Sequence, residues 1–386
     1  MSTNTDLFNT REPRPRKPTI TIIEGDAQIV AAELAAAGDR FHASLSDPPY
    51  GLSFMSKGWD RKVPGPDLWR EVLKTLHPGA HVIAFGGTRT WHHLALALED
   101  AGAEMRDTLM WLYGQGFPKN HNVPNALGAL EEHDLAERHA GHGTALKPAW
   151  EPALLFRKPL EQTIARTARD HNTSTLAIDA SRIEVEALTE NAQGRWPANI
   201  ILDAEAGAVL DAQSGVSTSS SHIRRTSVKP MTHSKGADST HQTRGVEDTG
   251  GASRFFYCAK ASRREKEAGL EDFEAGRVND GRSTIIDNAY QRGDTKRRNP
   301  HPTVKPLDLI RYLAGLLLPP EHPEGAELYP RKIIVPFSGS GSEVIACAQA
   351  GWDHVVGIEL NPEYAEISRA RIAHWIEASD LPHELL

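Results

Sequence analysis

The sequence predicts an α/β domain: a mostly parallel sheet with helices on both faces, assembled from two separated stretches of chain. Three observations lead there. From Thr19 onward, short β-branched runs alternate with Ala/Leu-rich segments at the spacing of strand–helix units. That alternation fails between residues 160 and 300 and resumes after Pro306. The 386 residues are long for one domain and short for three, and 39% of them are apolar, enough for a sizeable core.

In chain order, Pro- and Arg-rich residues 1–18 are expected to form a disordered arm. Thr19–Glu24 reads as a strand, Ala27–Ala37 as a helix closed by Gly38, and Phe41–Ser46 as a second strand. A helix near Asp67–Leu76 should end at Pro78-Gly79, followed by a buried strand His81–Phe85 and Gly86-Gly87. A helix Thr90–Ala101, a strand Arg106–Tyr113 and a short apolar strand Leu154–Phe156 close this stretch. The irregular middle contains two weak strands, Asn199–Leu202 and Phe255–Cys258, and a Ser/Thr/Gly-rich tract, Ser214–Ser253, expected to be mobile. Helix Leu307–Leu318, strand Lys332–Val335, helix Glu343–Ala350, strand His354–Ile358 and helix Glu363–Glu377 follow.

Charge and composition exclude several classes. The net charge of −8 rules out a uniformly basic chain, yet residues 215–300 hold 16 Lys+Arg against 11 Asp+Glu, a basic stretch between acidic flanks that suits either a face for a polyanion or a solvated, loop-rich insertion. Two cysteines, Cys258 and Cys347, exclude a disulfide scaffold and a four-cysteine zinc site, and both read as small buried hydrophobes. The 18 histidines form no helix-spaced pair beside a carboxylate, so no metal site is expected. No apolar run is long enough to span a bilayer, and the N-terminus does not resemble a signal peptide; a cytoplasmic protein with no membrane partner is expected.

Two loops carry chemistry. Asp47-Pro48-Pro49-Tyr50 follows directly on a strand, and two prolines in succession stop the ladder and freeze the loop at its carboxyl end, where open α/β sheets bind ligands. A carboxylate, a carbonyl of fixed direction and an aromatic face suit an exocyclic amine on a flat base. The second loop, Val335-Pro336-Phe337-Ser338-Gly339-Ser340-Gly341-Ser342, joins a strand to a helix. Its glycines permit a sharp turn and close approach to a ligand. Glu359, twenty positions past Gly339 at the tip of the next strand, is placed for ribose hydroxyls, which indicates an adenosine-containing cofactor.

Together these residues resemble the β-class amino-group DNA methyltransferases, in which the catalytic loop precedes the cofactor loop. Asn299–Leu307 resembles the segment that closes over the methionine part of the cofactor, Ile23–Asp26 the segment whose Asp reaches its adenine or a neighbouring group, and Leu146–Lys158 the last sheet segment before target recognition. Phe54–Asp60, Phe85–Arg89 and Phe255–Ser262 are similar to methylases of bacteriophage and prophage. The resemblance implies a Rossmann-like S-adenosylmethionine-dependent methyltransferase fold in permuted order: a catalytic half over 19–159, a target-recognition insert over 160–300 and a cofactor-binding half over 301–386. It implies Asp47, Pro48, Pro49 and Tyr50 as catalytic residues. It implies Asp26, Thr303, Lys305, Phe337, Gly339, Gly341, Glu359 and Asn361 as cofactor-binding. The expected partner is double-stranded DNA, entered by base flipping, with room for a homodimer and a restriction endonuclease partner. Lys305 is a candidate for the cofactor carboxylate, with surface solvation as the alternative. Trp59 and Trp111 could line a base pocket, although packing is the commoner use of such aromatics.

Asp rather than Ser at the head of the catalytic loop favours adenine N6 over cytosine N4. RNA or protein-glutamine methylation fits less well, because glutamine enzymes usually carry Asn in place of Asp47 and put the cofactor loop first. A non-catalytic nucleic-acid-binding module with a decayed cofactor fold is opposed by intact Asp47, Tyr50, Gly339, Gly341 and Glu359.

Overall fold

The computed structural model describes residues 17–52, 60–114, 116, 118, 120–185, 194–219, 224–226, 241–243, 248–260, 264–277, 296–301 and 304–377. The expectations for residues 1–16, Phe54–Trp59, much of the Ser214–Ser253 tract and Thr303 lie outside them.

Among the described residues, nine strands form one sheet. In chain order they are β1 (Thr19–Glu24), β2 (Phe41–Ser46), β3 (Leu76–Phe85), β4 (Glu104–Leu112), β5 (Trp150–Arg157), β6 (Ile200–Asp203), β7 (Tyr257–Ala259), β8 (Lys332–Val335) and β9 (His354–Glu359). Their spatial order is β1-β9-β8-β2-β3-β5-β4-β6-β7. Every neighbouring pair is parallel except those made by β5, which runs antiparallel to both β3 and β4. Chain direction across the sheet reverses between β8 and β2: β2 leads outward to β3, while β8 leads the other way to β9. Such a reversal opens a crevice at the carboxyl edge.

Side chains alternate between the faces, as the period of a strand requires. Val82, Ala84, Leu154, Phe156, Ile334 and Ile358 pack with one helical layer; Ile83, Phe85, Leu155, Ile333, Val335 and Val355 pack with the other. The first layer consists of α1 (Ala27–Ala36), α2 (Pro66–Lys74) and α3 (Trp91–Asp100). In α2, Trp69, Val72 and Leu73 fall at i, i+3 and i+4 and all are buried. The helices α4 (Val123–Ala129), α5 (His133–Arg138), α6 (Ile164–His171) and α7 (Ala204–Ser214) lie at the edges or in the connections. The second layer is α8 (Leu307–Leu317) and α9 (Ser342–Gln349), and α10 (Pro362–Ile372) follows β9. No helix among the described residues is long and apolar enough to cross a membrane.

The structure departs from the sequence reading in four places. Pro78-Gly79 does not end α2, which stops at Lys74; the dipeptide lies inside β3, where the pairing with β2 jumps from Phe41–Leu76 to Ala43–His81. Gly79 takes φ +73° there, so the pair makes a bulge. The Leu154–Phe156 segment is only the middle of an eight-residue strand. The weak strands of the middle region join the main sheet as β6 and β7, so the sheet continues past the boundary expected after residue 159. Helices α4 to α7 lie in stretches that the sequence reading left without a helix. The last of them is set by its ends, with Asp203 Oδ1 accepting from Ala206 N at 2.6 Å and Gly215 closing it.

Candidate active site

The carboxyl edge of the sheet opens into a cleft of about 1250 Å³. Its walls come from the residues just after β1, β2, β3, β4, β8 and β9 and from the first residues of β5. Because β5 runs against the others, it delivers its beginning where its neighbours deliver their ends: Glu151 pairs with Trp111 and Trp150 with Leu112. This brings Glu151 to the cleft.

Pairing of β8 with β2, Ile333 opposite Ala43 and Ile334 opposite Ser44, sets the glycine loop beside the Asp-Pro-Pro-Tyr loop. Asp47, Pro48, Pro49 and Tyr50 all line the cleft. The loop is held from outside: Thr90 Oγ1 donates to the Tyr50 carbonyl at 2.6 Å, and Gly51 N donates to Asp60 Oδ1 at 2.9 Å. Gly87 gives the Tyr50 ring its place, since a Cβ there would come within 3.2 Å of Tyr50 Cδ2.

Lys305 is neither solvated nor directed at the glycine loop. It is 6% exposed, behind the catalytic loop, with Nζ 3.0 Å from Asp47 Oδ2 and 3.0 Å from Glu151 Oε2, and it donates to Tyr50 Oη at 2.9 Å. The surface-solvation alternative for Lys305 does not hold, and the cause is tertiary: two carboxylates meet at the edge and require a cation between them. Burial pulls the ammonium down, but Asp47 and Glu151 outweigh it and hold the pKa above the ordinary lysine value. Burial, followed by the same two carboxylates, pushes the Tyr50 phenol well above its usual range.

In the second loop, Gly339 has φ +50° and Gly341 φ +86°, conformations that L side chains rarely adopt. A Cβ on Gly339 would stand 2.9 Å from His301 Nε2, so the backbone there forms a cradle that a side chain would fill. Gly341 does not face the cleft; its Cβ would meet Ser368 Oγ at 2.5 Å, and its task is to let α9 pack on α10. Glu359 accepts from Gly339 N at 2.8 Å and from Asn361 N at 2.9 Å, which aims its carboxylate into the cleft beside the cradle. Burial raises the Glu359 carboxyl, against the pull of those backbone donors. Asn361 caps α10, and exposed Asp26 caps α1, accepting from Gln28 N at 2.8 Å; both, with Phe337, line the cleft. A sharp glycine turn against a strand-tip carboxylate fits the ribose and main-chain part of an adenosine cofactor.

Three residues at or beside the cleft escaped the sequence reading. Arg371 is fully buried and laces the glycine loop, donating from Nη1 to Ser340 Oγ at 3.1 Å and Ser342 Oγ at 3.0 Å, and from Nη2 to the Glu265 carbonyl at 3.1 Å. Burial lowers its guanidinium to about 10. Its signal was a charge on the inward face of α10, in step with Tyr364, Ile367 and Ser368. Glu343, in the first turn of α9, is buried at the cleft wall; burial and then the neighbouring Asp47 push its carboxyl up to about 8. Glu151 gave no local signal at all. Trp111 packs in the core and is not among the cleft-lining residues, whereas Tyr113 and Trp150 are. Cys347 is buried in α9.

Comparison with known proteins adds three findings. A DNA methylase family model, of the N6/N4 type, matches residues 41–370. Over 129 residues the chain is 27% identical to the type II methyltransferase M.HindIII of Haemophilus influenzae, a match spanning 33% of this chain and 38% of that relative's length. Among solved structures, M1.HpyAVI aligns with 92% of this chain and 98% of its own at 13% identity and a TM-score of 0.43. The PvuII cytosine-N4-specific DNA methyltransferase aligns over 96% and 91% at 12% identity and a TM-score of 0.41.

Proposed function

We propose, starting from a chain that belongs to the N6/N4 DNA methylase family, that it transfers a methyl group from S-adenosylmethionine to adenine N6 in double-stranded DNA, with the target nucleotide extruded into the cleft. The observation that supports this most directly is the pairing of β8 with β2, which seats a carboxylate loop for an amine beside a glycine cradle with a ribose-binding carboxylate.

The cofactor, when bound, supplies an electrophilic sulfonium methyl. The glycine cradle and Glu359 hold its main-chain and ribose parts, with Asp26 at the adenine end of the cleft. The amine nitrogen of adenine is a poor nucleophile because its lone pair is delocalised into the ring. Asp47 and the Pro48 carbonyl accept the two amine hydrogens and favour a more tetrahedral nitrogen whose lone pair is free to attack. Tyr50 offers its ring to the base. Lys305 holds Asp47 in place through its ion pair, with the carboxylate oxygens as acceptors. No covalent enzyme intermediate is needed; the residues position and polarise. Unstacking the nucleotide costs a few kcal/mol, offset by basic contacts to phosphates.

The test is mass spectrometry of nucleosides from DNA incubated with the protein and cofactor. N6-methyldeoxyadenosine is the expected product. 4-Methyldeoxycytidine would reassign the base, and no modified base would overturn the reading.

A further inference from the structure

The Lys305 ammonium has three hydrogens and three acceptors within 3.0 Å: Asp47 Oδ2, Glu151 Oε2 and Tyr50 Oη. With its oxygen receiving from Lys305, Tyr50 has one hydrogen left and two carboxylates in reach, Asp47 Oδ1 at 2.9 Å and Glu151 Oε2 at 3.1 Å. A phenol can donate to only one of them at a time. The two carboxylates differ in access: the Asp47 side chain is 9% exposed, that of Glu151 24%. Glu151 also lines the cleft.

Resting on the methyl-transfer reading above, we propose that Glu151 is the proton outlet of the reaction and that the Tyr50 hydroxyl links it to Asp47. When the new carbon–nitrogen bond forms, the amine nitrogen carries one proton too many. That N–H bond breaks as Asp47 takes the proton. The Asp47 hydrogen then moves to the Tyr50 oxygen while the Tyr50 hydrogen moves to Glu151 Oε2. Asp47 is again a carboxylate and Tyr50 again a phenol; Glu151, now neutral, releases the proton to water. Lys305 stays charged throughout and holds the three oxygens in line. The charge of the Asp47–Glu151–Lys305 group thus passes from −1 to 0 and back. Among the described residues, Glu343, Tyr113 and Lys266 are further titratable groups that act on its members. This arrangement explains why a second, partly exposed carboxylate stands so near the first, where repulsion alone would exclude it.

The experiment uses the full chain, plasmid DNA and S-adenosylmethionine, and compares Glu151→Gln, Tyr50→Phe and the double variant. Glu151→Gln is nearly isosteric, and cofactor affinity by calorimetry together with the thermal midpoint reports whether the site is intact. With affinity unchanged, each single substitution should lower kcat by about 10²-fold, the range of a lost acid–base group. The double variant should be no slower than the worse single one, because both cut the same path. Glu151→Asp should recover part of the rate. A Glu151→Gln variant with wild-type kcat, or single effects that multiply in the double variant, would overturn the outlet while wild-type methylation stands. Absence of methylation by the wild type would instead defeat the functional reading.

Discussion

In the proposed reading Asp47 acts as a hydrogen-bond acceptor, and Lys305 and Tyr50 fix its position. Replacing Asp47 by Ala should abolish methyl transfer, measured by radiolabel incorporation, while calorimetry still detects cofactor binding, because the cradle and Glu359 are untouched; near-normal turnover would remove its assigned role. Lys305→Met is a different kind of change. It leaves Asp47 and Glu151 facing each other without a counter-charge in a buried place, and breaking a buried pair in this way costs about 3–5 kcal/mol. Urea denaturation should show that loss, and the double variant Lys305→Met with Glu151→Gln should recover part of it. Glu343 behaves in the opposite sense. Its folded carboxyl is raised to about 8 from the ordinary 4.5, so the folded state holds a proton that the unfolded state gives up as pH rises. The stabilising effect is complete below the unfolded value and drains away between about pH 4.5 and 8. Glu343→Gln should therefore stabilise the protein at pH 8 and flatten that slope.

At the scale of elements, the glycine loop, α9 and α10 form one unit. Gly341 sits at φ +86° against Ser368, so Gly341→Ala should cost roughly 1–3 kcal/mol, the range for strained backbone, and weaken cofactor binding by displacing α9. A calorimetric affinity equal to wild type would separate the turn from the binding site. The other end of the sheet makes its own prediction. His42, His77 and His171 stand in a row, with ring centroids 4.9 and 5.6 Å apart, and His81 lies nearby on β3. Burial lowers His42 to about 4, His77 to about 3 and His81 to about 4. These folded values lie below the unfolded one near 6.5, so the unfolded chain binds the extra protons. Their contribution is whole above about pH 6.5 and is lost as pH falls toward 4; the thermal midpoint should drop across that window, and His77→Asn should blunt the fall.

For the whole molecule, substrate binding is expected to be electrostatic in large part. If six phosphates are contacted, affinity for duplex DNA should fall about 10³-fold between roughly 50 and 200 mM salt; a fluorescence-anisotropy titration at several salt concentrations checks it, and a flat response would leave the basic residues of 215–300 without their role. Strands, helices of both layers and the two chemical loops were legible in the sequence because hydrophobic period, Pro-Pro and the glycines are local signals: Thr19–Glu24, Phe41–Ser46 and Lys332–Val335 coincide with β1, β2 and β8 to the residue. Pro78-Gly79 misled because a bulge and a helix stop use the same dipeptide. The sequence by itself therefore determined the α/β alternation, the Asp-Pro-Pro-Tyr loop and the glycine turn at the carboxyl edge of the sheet. Tertiary structure alone decided that β5 runs backward, that Glu151 and Lys305 meet Asp47 across more than a hundred and more than two hundred and fifty positions, and that Arg371 ties down the glycine loop. The physical reason is that a buried charge is defined by its partners, and partners brought together by folding leave no mark in the chain around either one.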